Sequence, residues 1–239
     1  MRKKHLIAAV IAITVLLSGL WQLSKMRDFQ LVGKLVTRVG CPDKVVALSF
    51  DDGPTREYTD TVLATLAKHA VKATFFVTGS EVEKNLAEAR RIASAGHELG
   101  NHSYSHARMV FKLPATVKDE IEKTDAAIRN AGYSGQIHFR PPYGKKLLIL
   151  PWYLQKAGKT TIMWDIEPET FPEVAASAEK ISDHIMQQVR PGSIILLHVM
   201  YASREESRKS LELVIHRLKK EGFAFKTVSE LIKHAEAQN

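Results

Sequence analysis

Beyond Lys44, short apolar runs alternate with amphipathic stretches, and this period constrains the fold more than any other property of the 239-residue chain. The runs predict strands over residues 45–50, 73–79, 98–102, 138–140, 160–166, 193–198 and 223–228. Between them, Thr59, Val62, Leu63, Leu66, Ala67 and Ala70 recur at helical spacing, as do Leu211, Val214, Ile215 and Leu218. Each set makes one apolar stripe suited to packing on a sheet. Ser80 with Glu83 and Ser203 with Glu206 read as capping boxes, and Gly96, Gly132, Gly158 and Gly222 fall where helices should stop. Strands separated by helices predict one α/β domain with a parallel, barrel-like sheet of about seven strands. Alternation does not specify strand order, so an open doubly wound sheet is the alternative.

The start of the chain has a different character. Arg2, Lys3 and Lys4 precede an apolar run over residues 6–21, and Lys25 and Arg27 follow it. Basic residues ahead of an uncharged run read as a secretory signal or signal anchor. Leu20 and Trp21 continue the apolar character past the small residues Ser18 and Gly19, which favours an uncleaved anchor. The expected organisation is a signal anchor or signal peptide over 1–26, a linker over 27–43 and a globular domain over 44–239. With the basic flank inside, that domain lies outside the cell membrane on a single span, or is secreted if the segment is cleaved. The net charge is +8, and four of the basic residues behind it lie in the first 26 positions, which hold no acid. No basic run with interleaved aromatics points to nucleic acid. Cys41 is the only cysteine, so no internal disulfide forms.

The polar clusters follow the predicted strands. Asp51 and Asp52 follow the first, His102 closes the third, Arg140 the fourth, Asp165 and Glu167 the fifth, and His198 the sixth. Parallel β/α barrels build their sites at this carboxyl end, so one site can gather groups far apart in sequence. His102 and His106 stand at i and i+4, where one helical turn would put both imidazoles on one face. Two histidines and one carboxylate suit zinc or a similar divalent cation, with at least one coordination position open. If Asp52 is the carboxylate ligand, Asp51 remains as a base. Asp-Asp-Gly-Pro alone is also good turn chemistry; the joint pattern at successive strand ends favours a site.

Ser49-Phe50-Asp51-Asp52-Gly53-Pro54, His102-Ser103-x-x-His106, Arg140-Pro141-Pro142-Tyr143-Gly144 and Leu196-Leu197-His198 resemble, in order and spacing, four motifs of the polysaccharide deacetylases, the NodB-like carbohydrate esterases. The resemblance covers about residues 44–233. It implies a distorted (β/α) barrel and removal of acetyl groups from chitin-type or peptidoglycan-type amino sugars, or in some members from acetylated xylan. It makes Asp52, His102 and His106 the ligands of a divalent metal, zinc first, with cobalt, nickel or manganese also acceptable. Asp51 becomes the general base, Arg140 the cation that holds it, and His198 the acid that protonates the departing amine. The backbone N–H of Tyr143 would help hold the developing oxyanion. The segment Trp164-Asp165-Ile166-Glu167-Pro168-Glu169-Thr170-Phe171 departs from the family pattern. Glu167 and Phe171 match best the positions of an aspartate that tunes the acid and a tryptophan that walls the groove, with Asp165 competing for the first role. Met109 and Phe111 are either groove residues or core.

The leading expectation is a membrane-anchored, metal-dependent polysaccharide N-deacetylase acting on an N-acetylated glycan and releasing acetate. An O-acetyl esterase is the nearest alternative, because it needs the same water activation with less demand for an acid. A catalytically weakened glycan-binding protein, or a glycosidase using Asp51 and Glu167, are the others. The last leaves the histidine pair without a role.

Overall fold

A computed structural model describes residues 2–238. The strands are β1 (Leu35–Val36), β2 (Val45–Asp51), β3 (Thr74–Val77), β4 (Glu98–Asn101), β5 (Thr161–Ile162), β6 (Ile194–His198) and β7 (Ala224–Phe225). The helices are α1 (Arg2–Lys25), α2 (Thr59–Lys68), α3 (Gly79–Lys84), α4 (Leu86–Ser94), α5 (Pro114–Asn130), α6 (Ile149–Lys156), α7 (Pro172–Ala175), α8 (Ala178–Gln188), α9 (Glu205–Lys220) and α10 (Val228–Glu236). The main sheet runs β4-β3-β2-β6 with every pair parallel, β7 joins the start of β2, and β1 pairs with β5. Single-residue bridges from Phe139 to both Asn101 and Thr161, and from Ile166 to Ile195, complete a ring. The result is a distorted parallel barrel, as the β/α period predicts.

Two predicted strands are shorter than the sequence suggests, for identifiable reasons. Residues 138–140 contribute only the Phe139 bridge, because Pro141 and Pro142 follow and bring no N–H to a ladder. The strand expected over 160–166 stops after Ile162, where the Arg140 guanidinium takes the Ile162 and Met163 carbonyls at 3.3 and 3.1 Å. The expected linker over 27–43 is partly structural. Its β1 pairs Leu35 and Val36 with Thr161 and Ile162, and Val36 and Val39 are buried.

Alternation along the strands sorts the core. On β2, Val46, Leu48 and Phe50 pack toward the helices with Phe75, Val77, Leu197 and residues of α2, α4, α8 and α9. Val45 and Ala47 face inward with Phe76, Ile194 and Leu196. Strands buried on both faces explain why the runs read as nearly continuous apolar sequence. Val228, Leu231 and Ile232 of α10 belong to the inner cluster. Ser49 and Asp51 continue the inward face of β2, and His198 that of β6, so the polar residues at the strand ends open into the barrel mouth.

Helix α1 is long and apolar enough to cross a membrane: an 18-residue window within Lys3–Lys25 has a mean hydropathy of 2.2, and none of that window is buried in the fold. Neither expected capping box forms. The first N–H groups of α3 are already taken by the Ser103 and Tyr104 carbonyls, at 3.0 and 3.1 Å, so Ser80 has no capping role there. Ser203 lies in a single 3-10 turn before α9. A capping box of Thr227 with Glu230 starts α10 instead. Gly96, Gly132, Gly158 and Gly222 end helices with positive φ as expected.

Candidate active site

Strand register brings the sequence-distant residues together. Asp51 is opposite His198 across β2 and β6 and opposite Phe76 across β2 and β3, while Val77 is opposite Asn101 on β4. His102 leaves the end of β4, and Arg140 donates its N–H to the Asn101 carbonyl at 2.9 Å. Asp51, Asp52, His102, His106, Tyr143, Lys145, Trp164, Glu167, Leu196, His198 and Arg204 then line one cleft of about 410 Å³.

Asp52, His102 and His106 each offer a ligand atom, and these atoms lie within 4.8 Å of one another. Asp52 Oδ1 is 3.4 Å from His106 Nε2 and 3.9 Å from His102 Nε2. His102 Nδ1 lies 2.8 Å from the Arg140 carbonyl, an acceptor that fixes the proton on Nδ1 and turns the Nε2 lone pair toward Asp52. Two imidazoles and a carboxylate converging in this way fit a divalent cation. Burial, with His102 nearby, holds His106 below the usual histidine value.

The histidine pair does not sit on one helical turn, as its spacing suggests. His102 follows a strand, and Ser103 and His106 both adopt positive φ. Glu120 of α5 organises this loop, accepting the Tyr104 and Ser105 N–H groups at 2.8 and 2.9 Å and the Ser105 hydroxyl at 2.6 Å. Asn101 Oδ1 accepts the Ser103 N–H at 2.8 Å. Glu81 does similar work for the aspartates, accepting the Gly53 N–H at 2.7 Å, the Thr78 hydroxyl at 2.8 Å and the Tyr201 hydroxyl at 2.9 Å.

Asp51 stands beside the triad. Its Oδ1 accepts from Arg140 Nη1 at 2.6 Å, and both side chains are buried. Arg140 is also sandwiched by rings, with Cζ 4.0 Å from the Phe76 centroid and 5.4 Å from that of Trp164. Burial pushes the Asp51 carboxyl upward, but Arg140, backed by His102 and His198, outweighs it and holds the group below the ordinary aspartate value. Asp51 is therefore ionised.

His198 is held by Glu169, not by Glu167. The Glu169 carboxylate contacts His198 Nδ1, accepts the His198 N–H at 3.0 and 3.1 Å and accepts the Ser207 hydroxyl. Burial alone would pull His198 down; the Glu169 contact, with Asp51 and Asp52 beyond, lifts it to about 9. Glu167 instead accepts the Trp164 indole N–H at 2.9 Å, and Asp165 is bonded to Ser193 and Ile194. Glu169 lies within the 3-10 turn Pro168–Thr170, and Glu167 is the residue before it. Glu169 lies two residues from the expected position, in the same acidic segment.

Tyr143 sits at φ 58 in the turn after the prolines, its ring 4.7 Å from that of His106. Gly144 and Lys145 donate the turn's hydrogen bonds, leaving the Tyr143 N–H outside them. Phe171 is exposed and packs on His184. Met109 is core beneath α5, while Phe111 is exposed.

Comparison with known proteins gives the family of the chain. A family model described as polysaccharide deacetylase matches residues 38–162. The chain is 34% identical to a peptidoglycan-N-acetylglucosamine deacetylase of Bacillus cereus, over 79% of this chain and 68% of that protein. It is 31% identical to the peptidoglycan-N-acetylmuramic acid deacetylase PdaA of Bacillus subtilis, over 80% of this chain and 72% of that one. The crystal structure of the Bc1960 peptidoglycan N-acetylglucosamine deacetylase, in complex with an N-hydroxybenzamide, superposes with a TM-score of 0.77 at 33% identity, covering 82% of this chain and 92% of that one. The chain belongs to the polysaccharide deacetylase family.

Proposed function

We propose that the protein is a metal-dependent N-deacetylase that hydrolyses acetamido groups on an amino-sugar polysaccharide of peptidoglycan or chitin type. Asp52, His102 and His106 would hold the ion, zinc first among the divalent cations that accept two nitrogens and a carboxylate oxygen. Bound there, it would supply a Lewis acid that polarises the acetyl carbonyl and acidifies water. Asp51, ionised against Arg140, takes the proton of the attacking water. The Tyr143 N–H faces the carbonyl oxygen as negative charge develops on it. His198, with Nδ1 committed to Glu169, presents Nε2 to the amide nitrogen and donates the proton with which the C–N bond breaks. Acetate and a free amine leave.

The observation that carries this reading is the pair of opposed charge contacts flanking the triad, Asp51 with Arg140 and His198 with Glu169. It provides one ionised base and one protonated acid together. The second contact favours amide over ester, because an amine is a poor leaving group without a proton and an alkoxide is less demanding. We further propose that α1 anchors the protein in the cell membrane with the catalytic domain outside, supported by its length, hydropathy and basic start. The domain then begins near Leu35, with β1 as part of it.

Acetate release tests the proposal, using full-length protein in detergent with chitotetraose and O-acetylated xylan side by side. Turnover of chitotetraose, lost with chelator and restored by zinc, is the expected result. Activity on xylan alone overturns the N-deacetylase reading.

A further inference from the structure

The last turn of the apolar helix and the residues just after it are fastened to the rim of the cleft. Ser24 is fully buried, and its carbonyl accepts the Lys146 N–H at 3.0 Å. The Lys146 ammonium, on a residue only 2% exposed, donates to the Met26 carbonyl at 2.6 Å. A buried ammonium is costly unless its N–H groups find acceptors, so this lysine depends on the juxtamembrane backbone. Lys145, which lines the cleft, sets Nζ 4.4 Å from the Trp21 ring centroid, and Lys25 lies over the same ring at 5.2 Å. Next to that turn, Arg27 reaches to 3.9 Å from Glu167 Oε2, the atom that accepts the Trp164 indole N–H. Residues 21–27 thus grip two walls of the cleft, the turn from Tyr143 to Lys146 and the loop from Trp164 to Glu167.

This arrangement ties the cleft to the end of the apolar helix. Trp21 and Lys25 end the apolar helix, and tryptophan and lysine are the residues that anchor at the membrane interface. Lys145 touches Trp21 and lines the cleft at once, so one side chain spans the gap between interface and mouth. Arg108, stacked over Tyr143 at 5.0 Å, adds another cation at that rim. Among the described residues, none of Lys25, Arg108 and Lys145 is in an ion pair, which leaves them for anionic headgroups.

We infer that residues 21–27 act as a rigid clasp holding the mouth of the cleft at the outer face of the membrane, so that the substrate is an N-acetylated glycan carried on a lipid. This rests on the deacetylase reading and adds the place at which the glycan is presented. A cleft held in the plane of its substrate gains effective concentration without any new contact to the sugar.

The test uses the full chain in vesicles of phosphatidylglycerol and phosphatidylcholine. Acetate release is compared for free chitotetraose and for chitotetraose coupled through its reducing end to a dialkyl lipid in the same vesicles. A second protein carries a Gly/Ser spacer of about ten residues between Leu20 and Trp21, reaching roughly 18 Å and leaving the clasp residues intact. Wild type is expected to turn over the lipid-linked tetraose with kcat/KM about tenfold or more above the free one. The spacer protein should keep its rate on the free tetraose and lose most of that preference. Equal rates of wild type on both substrates, or an undiminished preference in the spacer protein, overturns the clasp. No acetate from either substrate overturns the deacetylase reading itself.

Discussion

Glu169 and Glu167 occupy the same short segment, yet only one touches His198, and that difference can be read by pH. The acid must be protonated to work, so activity falls as pH rises through its pKa. Glu169 raises that pKa against the effect of burial. Glu169→Gln removes the raising contact and leaves burial, so the alkaline limb of kcat should move to lower pH, and turnover at neutral pH should fall by about 10²–10⁴. Charge on a bound cation lowers the limb in both proteins, so the direction of movement is the readout. Glu167→Gln should leave the limb nearly in place and act through Trp164. A larger downward displacement of the alkaline limb from Glu167→Gln than from Glu169→Gln would reject the assignment. The resemblance marked the segment as a departure from the family pattern; it did not mark which carboxylate folding brings to His198.

The loop after β4 that carries His106 is tied down by side chains of two other elements, Glu83 of α3 at the Tyr104 hydroxyl and Glu120 of α5. Glu120 on α5 accepts two backbone N–H groups and a hydroxyl from it, tying residues 104–105 to a packed helix. Glu120→Ala should free this loop while leaving the α5 core residues Val117 and Ile121 in place. The expected result is a Kd for zinc weaker by about 10–100-fold, measured by competition with a chelating dye. An unchanged Kd would mean the loop is held by Asn101 and α3 alone. Much at this scale was legible. β2, β3 and β6 are buried on both faces and read clearly as apolar runs, and helix ends were marked by Gly96, Gly132, Gly158 and Gly222. What escaped had a tertiary cause. The spacing of His102 and His106 implied a helix that positive φ at Ser103 and His106 excludes, and β1 is a two-residue strand whose reason to exist is its partner β5. Ser80 fails as a cap because carbonyls from a distant loop reach the helix first.

At the scale of the molecule, the proposed ligands join strands that are distant in sequence and neighbours only after folding. Asp52 follows β2 and the histidines follow β4, with β3 between them, so the unfolded chain presents no comparable site. An ion that binds the folded state alone stabilises it by RT ln(1 + [L]/Kd), about 2.7 kcal/mol at a hundredfold excess over Kd. For a domain of this size that raises Tm by about 5–10 °C. Zinc should therefore raise the melting temperature of the chelator-treated full chain in detergent, followed by circular dichroism, with no substrate present. His102→Ala should abolish the increment. Asp51→Asn should keep it while losing turnover, since Asp51 is assigned to proton transfer and Arg140 takes its charge. The increment also has a pH signature. Histidine ligands bind when neutral, and burial with His102 nearby depresses His106, so its ligand form persists below the ordinary histidine value of about 6.5. The increment should survive below that pH and vanish as stronger acid protonates His106. An equal increment in wild type and His102→Ala would move the ion to another part of the protein and leave Asp52 and His106 without their proposed role.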